Sequence, residues 1–244
     1  MPCVVELRDV GFWAQGQRLV SGASFMFSQG KTTAIVGPSG GGKSTLLKLA
    51  AGLYVPGEGE VFFRGKALGK MSRQENLAFR REAAFVFQDS ALWANMSLYQ
   101  TLDLPLRLHF PEMQAGERRK KIEEAAAQAG YKRDLDIRPE SLSAGEQKLI
   151  AFARAVICGP GLLFLDEWTE SLDEKAAMRL VAIVRSMKES GVSVILVSHD
   201  PRIVRSMCDE VVFVSGGRIS ASLHVSQIGS EGELGRLMET GAEN

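Results

Sequence analysis

A glycine-rich segment between a short apolar strand and an apolar helix is the feature that most restricts how this chain folds. The segment reads Gly37-Pro38-Ser39-Gly40-Gly41-Gly42-Lys43-Ser44-Thr45. Residues 33–36 before it predict a strand, and the apolar positions in 46–50 predict a helix after it. Glycines let successive backbone N–H groups converge on one point, and the helix N-terminus adds positive potential there. The sequence therefore predicts an anion site at the carboxyl end of a strand.

The spacing within this segment matches the P-loop pattern of nucleotide-binding proteins, Gly-x-x-x-x-Gly-Lys-Ser. Lys43 is predicted to reach the β- and γ-phosphates, Ser44 to offer its hydroxyl to Mg²⁺, and Thr45 to bond the α-phosphate. The alternative is a glycine-rich turn that happens to precede a helix. Three consecutive glycines, the Lys-Ser pair and the flanking elements favour the phosphate site.

Bulk properties set limits on partners and compartment. The 244 residues carry 29 basic and 29 acidic side chains, for a net charge of +0, so charge gives no reason to expect a nucleic-acid partner. Cys3, Cys158 and Cys208 have neither metal-ligand nor disulfide spacing, which fits a reducing cytoplasm. No run approaches the roughly 20 apolar residues that span a bilayer, so direct membrane insertion is not expected.

Strand-like and helix-like runs alternate along the chain, which favours an α/β fold with a mostly parallel central sheet. Residues 4–10, 19–27 and 61–63 predict an opening antiparallel β subdomain. Residues 162–165 and 192–197 predict later strands, separated by an amphipathic helix. Between the opening strands and residues 162–165 the composition becomes helical, and we expect residues 89–160 to form a helical lobe inserted into a single domain spanning 1–244.

Two adjacent carboxylates end one predicted strand, and a histidine ends the next. Asp166 and Glu167 follow residues 162–165, and His199 follows residues 194–197. Buried carboxylates are unfavourable unless something at that point needs them, so Asp166 is predicted to hold Mg²⁺ and Glu167 to orient and deprotonate the attacking water. His199 is predicted to contact the γ-phosphate. The alternatives are acidic residues favoured by a helix dipole and a histidine with a structural role.

The order of these motifs, with Leu142-Ser143-Ala144-Gly145-Glu146 (the signature segment), Gln88 and Ser171-Leu172-Asp173, resembles that of ABC-type ATPases over essentially the whole chain. These are the nucleotide-binding subunits of ABC transporters. The resemblance implies ATP and Mg²⁺ as ligands and a head-to-tail homodimer with two ATP sites. Ser143 and Gly145 of one subunit would face the P-loop of the other. Gln88 would contact Mg²⁺ and the catalytic water, which makes it both a metal-binding and a catalytic residue.

Three positions depart from the family pattern. Ala144 replaces the usual first glycine of the signature segment, and Trp168 replaces the proline that commonly follows the catalytic glutamate, where packing is the expected role. The aromatic residue that normally stacks on adenine aligns with Ala14. Trp13 is therefore predicted to be a shifted stacking residue, whereas Phe12 is equally suited to core packing.

Within the family, 87–93, 104–107 and 71–73 are most similar to ATPases of MCE (Mla-type) lipid transporters. That similarity implies lipid cargo, an integral membrane permease as partner, and a peripheral location on the cytoplasmic face of the membrane. Leu92, Trp93, Met96 and Leu98 are candidates for contact with the permease. The alternative is that they form the small core of the lobe.

Other classes account for the sequence less well. An ABC ATPase of another importer, or of a lipoprotein-release or cell-division complex, remains an alternative. DNA-repair ABC ATPases share the P-loop and the signature segment but insert long coiled coils between them. P-loop kinases and small GTPases account for neither Ser143 nor His199. An inactive binding module is disfavoured because Lys43, Glu167 and His199 are all present.

Overall fold

A computed structural model describes residues 2–240, so the last residues of the predicted 1–244 domain lie outside the described part. The strands are β1 (Cys3–Ala14), β2 (Gln17–Ser28), β3 (Thr32–Val36), β4 (Glu58–Phe63), β5 (Lys66–Ala67), β6 (Ala83–Val86), β7 (Leu162–Asp166), β8 (Ser193–Val197), β9 (Glu210–Ser215) and β10 (Arg218–His224). The helices are α1 (Lys43–Ala50), α2 (Arg73–Glu82), α3 (Leu98–His109), α4 (Ala115–Ala129), α5 (Ala144–Val156), α6 (Glu174–Glu189), α7 (Pro201–Met207) and α8 (Glu231–Thr240).

Six strands form the central sheet in the order β10-β9-β3-β8-β7-β6. The pairs β6–β7, β7–β8, β8–β3 and β3–β9 are parallel, and β10 joins the edge antiparallel to β9. The predicted α/β fold with a mostly parallel sheet is therefore confirmed. Because the carboxyl ends of parallel strands meet at one edge, this topology places the ends of β3, β7 and β8 side by side.

Both faces of the central sheet are buried, as expected for parallel strands covered on each side. Along β7, Leu163 and Leu165 contribute to one hydrophobic core, and Leu162 and Phe164 contribute to the other. The first core packs against helices α3 to α8, and the second packs against α1 and the antiparallel strands. This alternation fixes which face each strand-end residue approaches.

The opening strands form a separate four-stranded sheet in the order β2-β1-β4-β5. β1 pairs antiparallel with both β2 and β4, which confirms the predicted antiparallel subdomain. Its inward residues, including Val5, Leu7 and Phe27, share a core with Leu46 and Leu47 of α1. The glycine-rich segment is therefore held between two sheets.

Helices α3, α4 and α5 lie within the predicted lobe, 89–160, and Leu98, Leu102, Ile122 and Ile150 pack together in its core. Leu98 is fully buried, so the prediction that it is a candidate for contact with the permease was wrong. Within residues 2–240, no helix combines the length and apolar character needed to cross a bilayer.

Candidate functional site

The glycine-rich segment leaves the carboxyl end of β3 and enters α1 in a conformation that requires glycine. Gly37 has φ +140°, and a Cβ there would lie 2.0 Å from the carbonyl oxygen of Val214. Gly42 is the N-cap of α1 with φ 96° and lies against the carbonyl of Leu19. The first backbone N–H groups of α1 are thus presented beside the loop, as an anion site needs.

Lys43, the first residue of α1, is buried and folded back over the loop. Its Nζ donates a hydrogen bond to the carbonyl oxygen of Pro38 at 2.8 Å. Burial lowers the pKa of this ammonium, and the nearby carboxylates of Glu167 and Asp166 oppose that shift. A phosphate held in the loop would give the buried Lys43 ammonium a charged hydrogen-bond acceptor.

Ser44 and Asp166 meet across the end of the sheet. The Ser44 hydroxyl donates to Oδ1 of Asp166 at 2.7 Å. The buried Oδ2 has no hydrogen-bond partner among the described residues and lies 4.0 Å from Nζ of Lys48. Burial raises the pKa of Asp166, and the Ser44 bond opposes this. A hydroxyl beside an unsatisfied carboxylate oxygen fits Mg²⁺, which prefers oxygen ligands.

Glu167 is held in a strained and poorly solvated position directly after β7. Its φ is +44°, in the left-handed region that non-glycine residues rarely adopt. Burial, together with the charges of Asp166 and Glu170, raises its pKa to about 7. A carboxyl group with this pKa is suited to accept a proton near neutral pH.

His199 lies beside Glu167 at the end of β8. Its Nε2 is 3.2 Å from Oε1 of Glu167, although the two atoms do not meet hydrogen-bond geometry. Burial and the Lys43 ammonium lower the pKa of His199. The glycine-rich segment 37–45, which includes Lys43 and Ser44, is hereafter called the phosphate edge together with Asp166, Glu167 and His199.

Gln88 follows β6 and reaches the phosphate edge indirectly. Its Nε2 donates to Oε2 of Glu170 at 3.1 Å, and its own carbonyl accepts a hydrogen bond from Nζ of Lys148 on α5. Sequence reasoning missed both Glu170 and Lys148. These contacts join positions 82 and 60 residues apart, and no local pattern signals them.

The signature segment caps α5, the helix that also carries Lys148, and lies outside the phosphate edge. Ser143 is the N-cap, and its hydroxyl accepts from the backbone N–H of Glu146 while the Glu146 carboxylate accepts from Ser143 N–H, which is a full capping box. Glu146 also accepts from Arg133 at 2.8 Å. A Cβ on Gly145 would lie 3.1 Å from the Ser171 carbonyl, so 171–173 adjoins the signature segment.

The departures from the family pattern occupy different environments. Trp168 is fully buried and stacks on Phe152 of α5 at 5.9 Å. Trp13 is 40% exposed, and the guanidinium of Arg18 lies over its ring at 4.7 Å. Phe12 instead stacks on Tyr54. Ala144, inside the capping box, is exposed and keeps a helical backbone.

Known proteins share this sequence and architecture. A family model described as ABC transporter matches residues 20–170. The chain belongs to the ABC transporter family. An uncharacterised ABC transporter ATP-binding protein of Methanocaldococcus jannaschii is 35% identical over 72% of this chain and 79% of its own length. The nickel import ATP-binding protein NikE of Shigella flexneri is 31% identical over 92% of this chain and 85% of its own length.

Among solved structures, the ATP-binding cassette MJ0796, a dimer in a post-hydrolysis state with ADP and Pi, superposes with a TM-score of 0.84. It is 27% identical and covers 91% of this chain and 98% of its own. This ABC protein is accordingly an ATP-binding subunit and an ATPase.

Proposed function

We propose that this ABC ATPase drives a membrane permease by ATP-dependent, head-to-tail dimerisation. The observation that carries the proposal is that one chain holds two separate half-sites. The phosphate edge offers a cation, a hydroxyl and backbone N–H groups to a triphosphate. The signature segment offers a second hydroxyl and a second helix N-terminus, but in one chain Ser143 and Glu146 bond to each other and Glu146 bonds to Arg133.

In the proposed mechanism, this chain's residues bind, orient and deprotonate. Lys43 and the loop N–H groups hold the phosphates, with Ser44, Asp166 and Gln88 as the residues that would hold Mg²⁺. The ion, when bound, neutralises charge on the phosphates. Glu167 takes the proton of the attacking water, and His199 holds the γ-phosphate oxygen through its ring N–H.

These contacts can supply the free energy that closure of the dimer requires. Swinging a dimer from mostly open to mostly closed needs about 5.5 kcal/mol of differential binding. Hydrogen bonds to charged groups contribute about 1.5–3 kcal/mol each, and two ATP sites provide several of them. Loss of the γ-phosphate removes these contacts, so hydrolysis reopens the dimer.

The permease is proposed to bind a groove of about 640 Å³ between the central sheet and the 89–160 lobe. Phe85, Phe87 and Trp93 give it apolar walls, and Arg81 and Arg154 give it positive charge. Trp93 is 45% exposed, which suits a contact residue. Docking of this kind would keep the protein at the cytoplasmic face of the membrane.

We propose a lipid as the cargo, from the similarity of 87–93 and 104–107 to Mla-type ATPases. A second candidate is import of a small solute. It is favoured by the relatives, among which NikE is named for nickel import and a Haemophilus ducreyi protein, 29% identical, for methionine import. The two candidates share one ATPase mechanism and differ only in the permease.

The head-to-tail arrangement is tested by cross-linking two variants that each add one cysteine to the three native ones, Ser39→Cys in the P-loop and Ala144→Cys in the signature segment, both exposed positions. Both carry Glu167→Gln to prevent turnover. With ATP and Mg²⁺, a short bis-maleimide should join Ser39→Cys chains to Ala144→Cys chains and should not join like to like. Like-to-like products alone would refute the arrangement. The chain with only its native cysteines is the background control.

The cargo is tested with the permease that co-purifies with this chain. The complex is reconstituted in vesicles, and its ATPase rate is measured with added phospholipid acceptor, Ni²⁺, methionine or spermidine. Stimulation coupled to movement of a labelled phospholipid supports the lipid proposal. Stimulation by a solute alone replaces it with the importer.

A further inference from the structure

Lys148 is a buried cation that none of the sequence motifs uses. It lies on α5, is 3% exposed, and its Nζ donates a hydrogen bond to the backbone carbonyl of Gln88. A lysine is almost never buried without a partner that needs it. A single carbonyl acceptor does not balance an ammonium charge, so the surrounding groups must contribute.

Those surroundings are acidic and belong to the hydrolysis end of the site. The carboxylates of Glu170, Asp89, Asp166 and Glu167 act on the Lys148 ammonium and support its charge against burial. Lys148 is therefore a cation that α5 places near the carboxylates of the hydrolysis end.

Hydrogen bonds continue from Lys148 to Glu167. Gln88, held by Lys148 through its carbonyl, donates its side-chain amide to Oε2 of Glu170 at 3.1 Å. The backbone N–H of Glu170 in turn donates to the carbonyl oxygen of Glu167 at 3.2 Å. Lys148 is thus connected through two residues, Gln88 and Glu170, to the proposed catalytic base.

The same helix that carries Lys148 begins at the signature segment. Ser143 caps α5, and five residues of helix place Lys148 about 7 Å further along the axis. One turn beyond Lys148, on the same face, Phe152 stacks on Trp168, the residue directly after Glu167. Helix α5 therefore contacts the hydrolysis end at two successive turns.

We propose that Lys148 is a positioning residue that links closure of the signature segment on a partner's ATP to the placement of Gln88 and Glu167 in its own chain. When α5 is drawn toward a partner's γ-phosphate, Lys148 carries Gln88 with it. This inference rests on the proposed roles of Gln88, Glu167 and the signature segment. It assigns Lys148 no contact with ATP.

The test is the steady-state ATPase rate of Lys148→Met, which keeps the length of the side chain but removes the donor and the charge. The matched control is Lys120→Met, an exposed lysine on α4 that pairs with Glu124. We expect kcat to fall at least about tenfold, the lower end for losing a hydrogen bond to a charged group, while KM for ATP stays within about threefold. Lys148→Arg, which restores a charged donor, should recover most of kcat.

Several outcomes would overturn the proposal. Unchanged kcat in Lys148→Met would do so directly. Equal loss of kcat and of ATP affinity, with a lowered Tm and no recovery in Lys148→Arg, would make Lys148 a structural residue only. The Ser39/Ala144 cross-link should still form in Lys148→Met. If it fails in the parent chain as well, the dimer mechanism itself is at fault rather than the role of Lys148.

Discussion

The phosphate edge and the signature segment are both built on a helix N-terminus, but they differ in how complete they are within one chain. At the phosphate edge, Lys43 and Asp166 are buried and Glu167 is partly buried, and one carboxylate oxygen each of Asp166 and Glu167 has no hydrogen-bond donor within residues 2–240. In the signature segment Ser143 and Ala144 are exposed, and Ser143 and Glu146 satisfy each other. The phosphate edge therefore holds unsatisfied groups that ligands would satisfy, whereas the signature segment is stable without one.

This difference explains how ATP could join two subunits reversibly. In the proposed mechanism, groups that need a phosphate and a metal would bind them first, in the monomer. The capping box would then exchange its internal bonds for a phosphate, so the second contact would be weaker and easily reversed. The mechanism thus predicts large effects from changes at the phosphate edge on chemistry, and selective effects from the signature segment on dimerisation.

The largest expected effect comes from Glu167→Gln. The amide cannot accept the proton of the attacking water, and loss of a general base lowers turnover by roughly 10²–10⁴-fold. ATP binding is retained, so an ATP-bound dimer should accumulate. The measurements are phosphate release and light scattering after gel filtration with ATP and Mg²⁺.

Glu189→Gln, at the exposed end of α6, is the matched control and should behave as the parent chain. Normal turnover in Glu167→Gln would remove this carboxylate from the chemistry. It would also erase the contrast drawn between the two regions.

The second effect comes from Ser143→Arg, which removes the hydroxyl and places a long side chain at the capped end of α5. Loss of hydrogen bonds to a charged phosphate lowers the rate by roughly 10–100-fold and makes hydrolysis non-cooperative. The Kd of the monomer for ATP should stay unchanged, because the P-loop belongs to the other half-site. ATPase rates across protein concentration and nucleotide-binding titrations measure both quantities.

Ser141→Arg, exposed and two residues outside the cap, controls for the added charge. Cooperative hydrolysis in Ser143→Arg equal to that of the control would refute a lid supplied by the partner.

Features built from neighbouring residues or from strand ends could be predicted from the sequence, and contacts between distant segments could not. The P-loop was predictable because its glycines, lysine and serine are contiguous, and β3 and α1 follow from local periodicity. The strand ends at Asp166 and His199 were predictable because parallel strands share an edge. The strained φ of Glu167, the bond from Lys148 to Gln88 and the seating of Trp168 on Phe152 were not, since each depends on packing between distant segments.

The third effect is a pH dependence of stability in the nucleotide-free protein. The pKa of Glu167 is about 7 in the fold against 4.5 ordinarily, because burial disfavours its charged form. The folded state holds the proton more tightly, so the stability from this group is full below about 4.5 and is lost as pH rises through about 7. Glu167→Gln does not titrate. The Tm of Glu167→Gln relative to the parent should therefore rise by roughly 4–8 °C across this window. This corresponds to a difference in the free energy of unfolding on the order of 2 kcal/mol.

Differential scanning fluorimetry of both proteins from pH 5 to pH 8 measures that difference, and titrating groups distant from Glu167 cancel in it. A Tm difference that stays constant with pH would show that Glu167 is not desolvated as the fold indicates, and the phosphate edge would then resemble the signature segment in having no unmet need for a ligand.

The smallest effect concerns Trp13, which belongs to the ATP-binding half of the comparison. If its ring stacks on adenine, Trp13→Ala removes an aromatic pair contributing about 0.5–1.5 kcal/mol, and the Kd for ATP rises roughly 2–10-fold. Arg18 already covers one face of the ring, so the base would use the other face or displace the guanidinium. Trp93→Ala removes another exposed tryptophan, in the proposed permease groove, and should leave ATP binding unchanged. Equal Kd values for the two variants and the parent would assign Trp13 to its contact with Arg18 alone, and adenine would be held elsewhere.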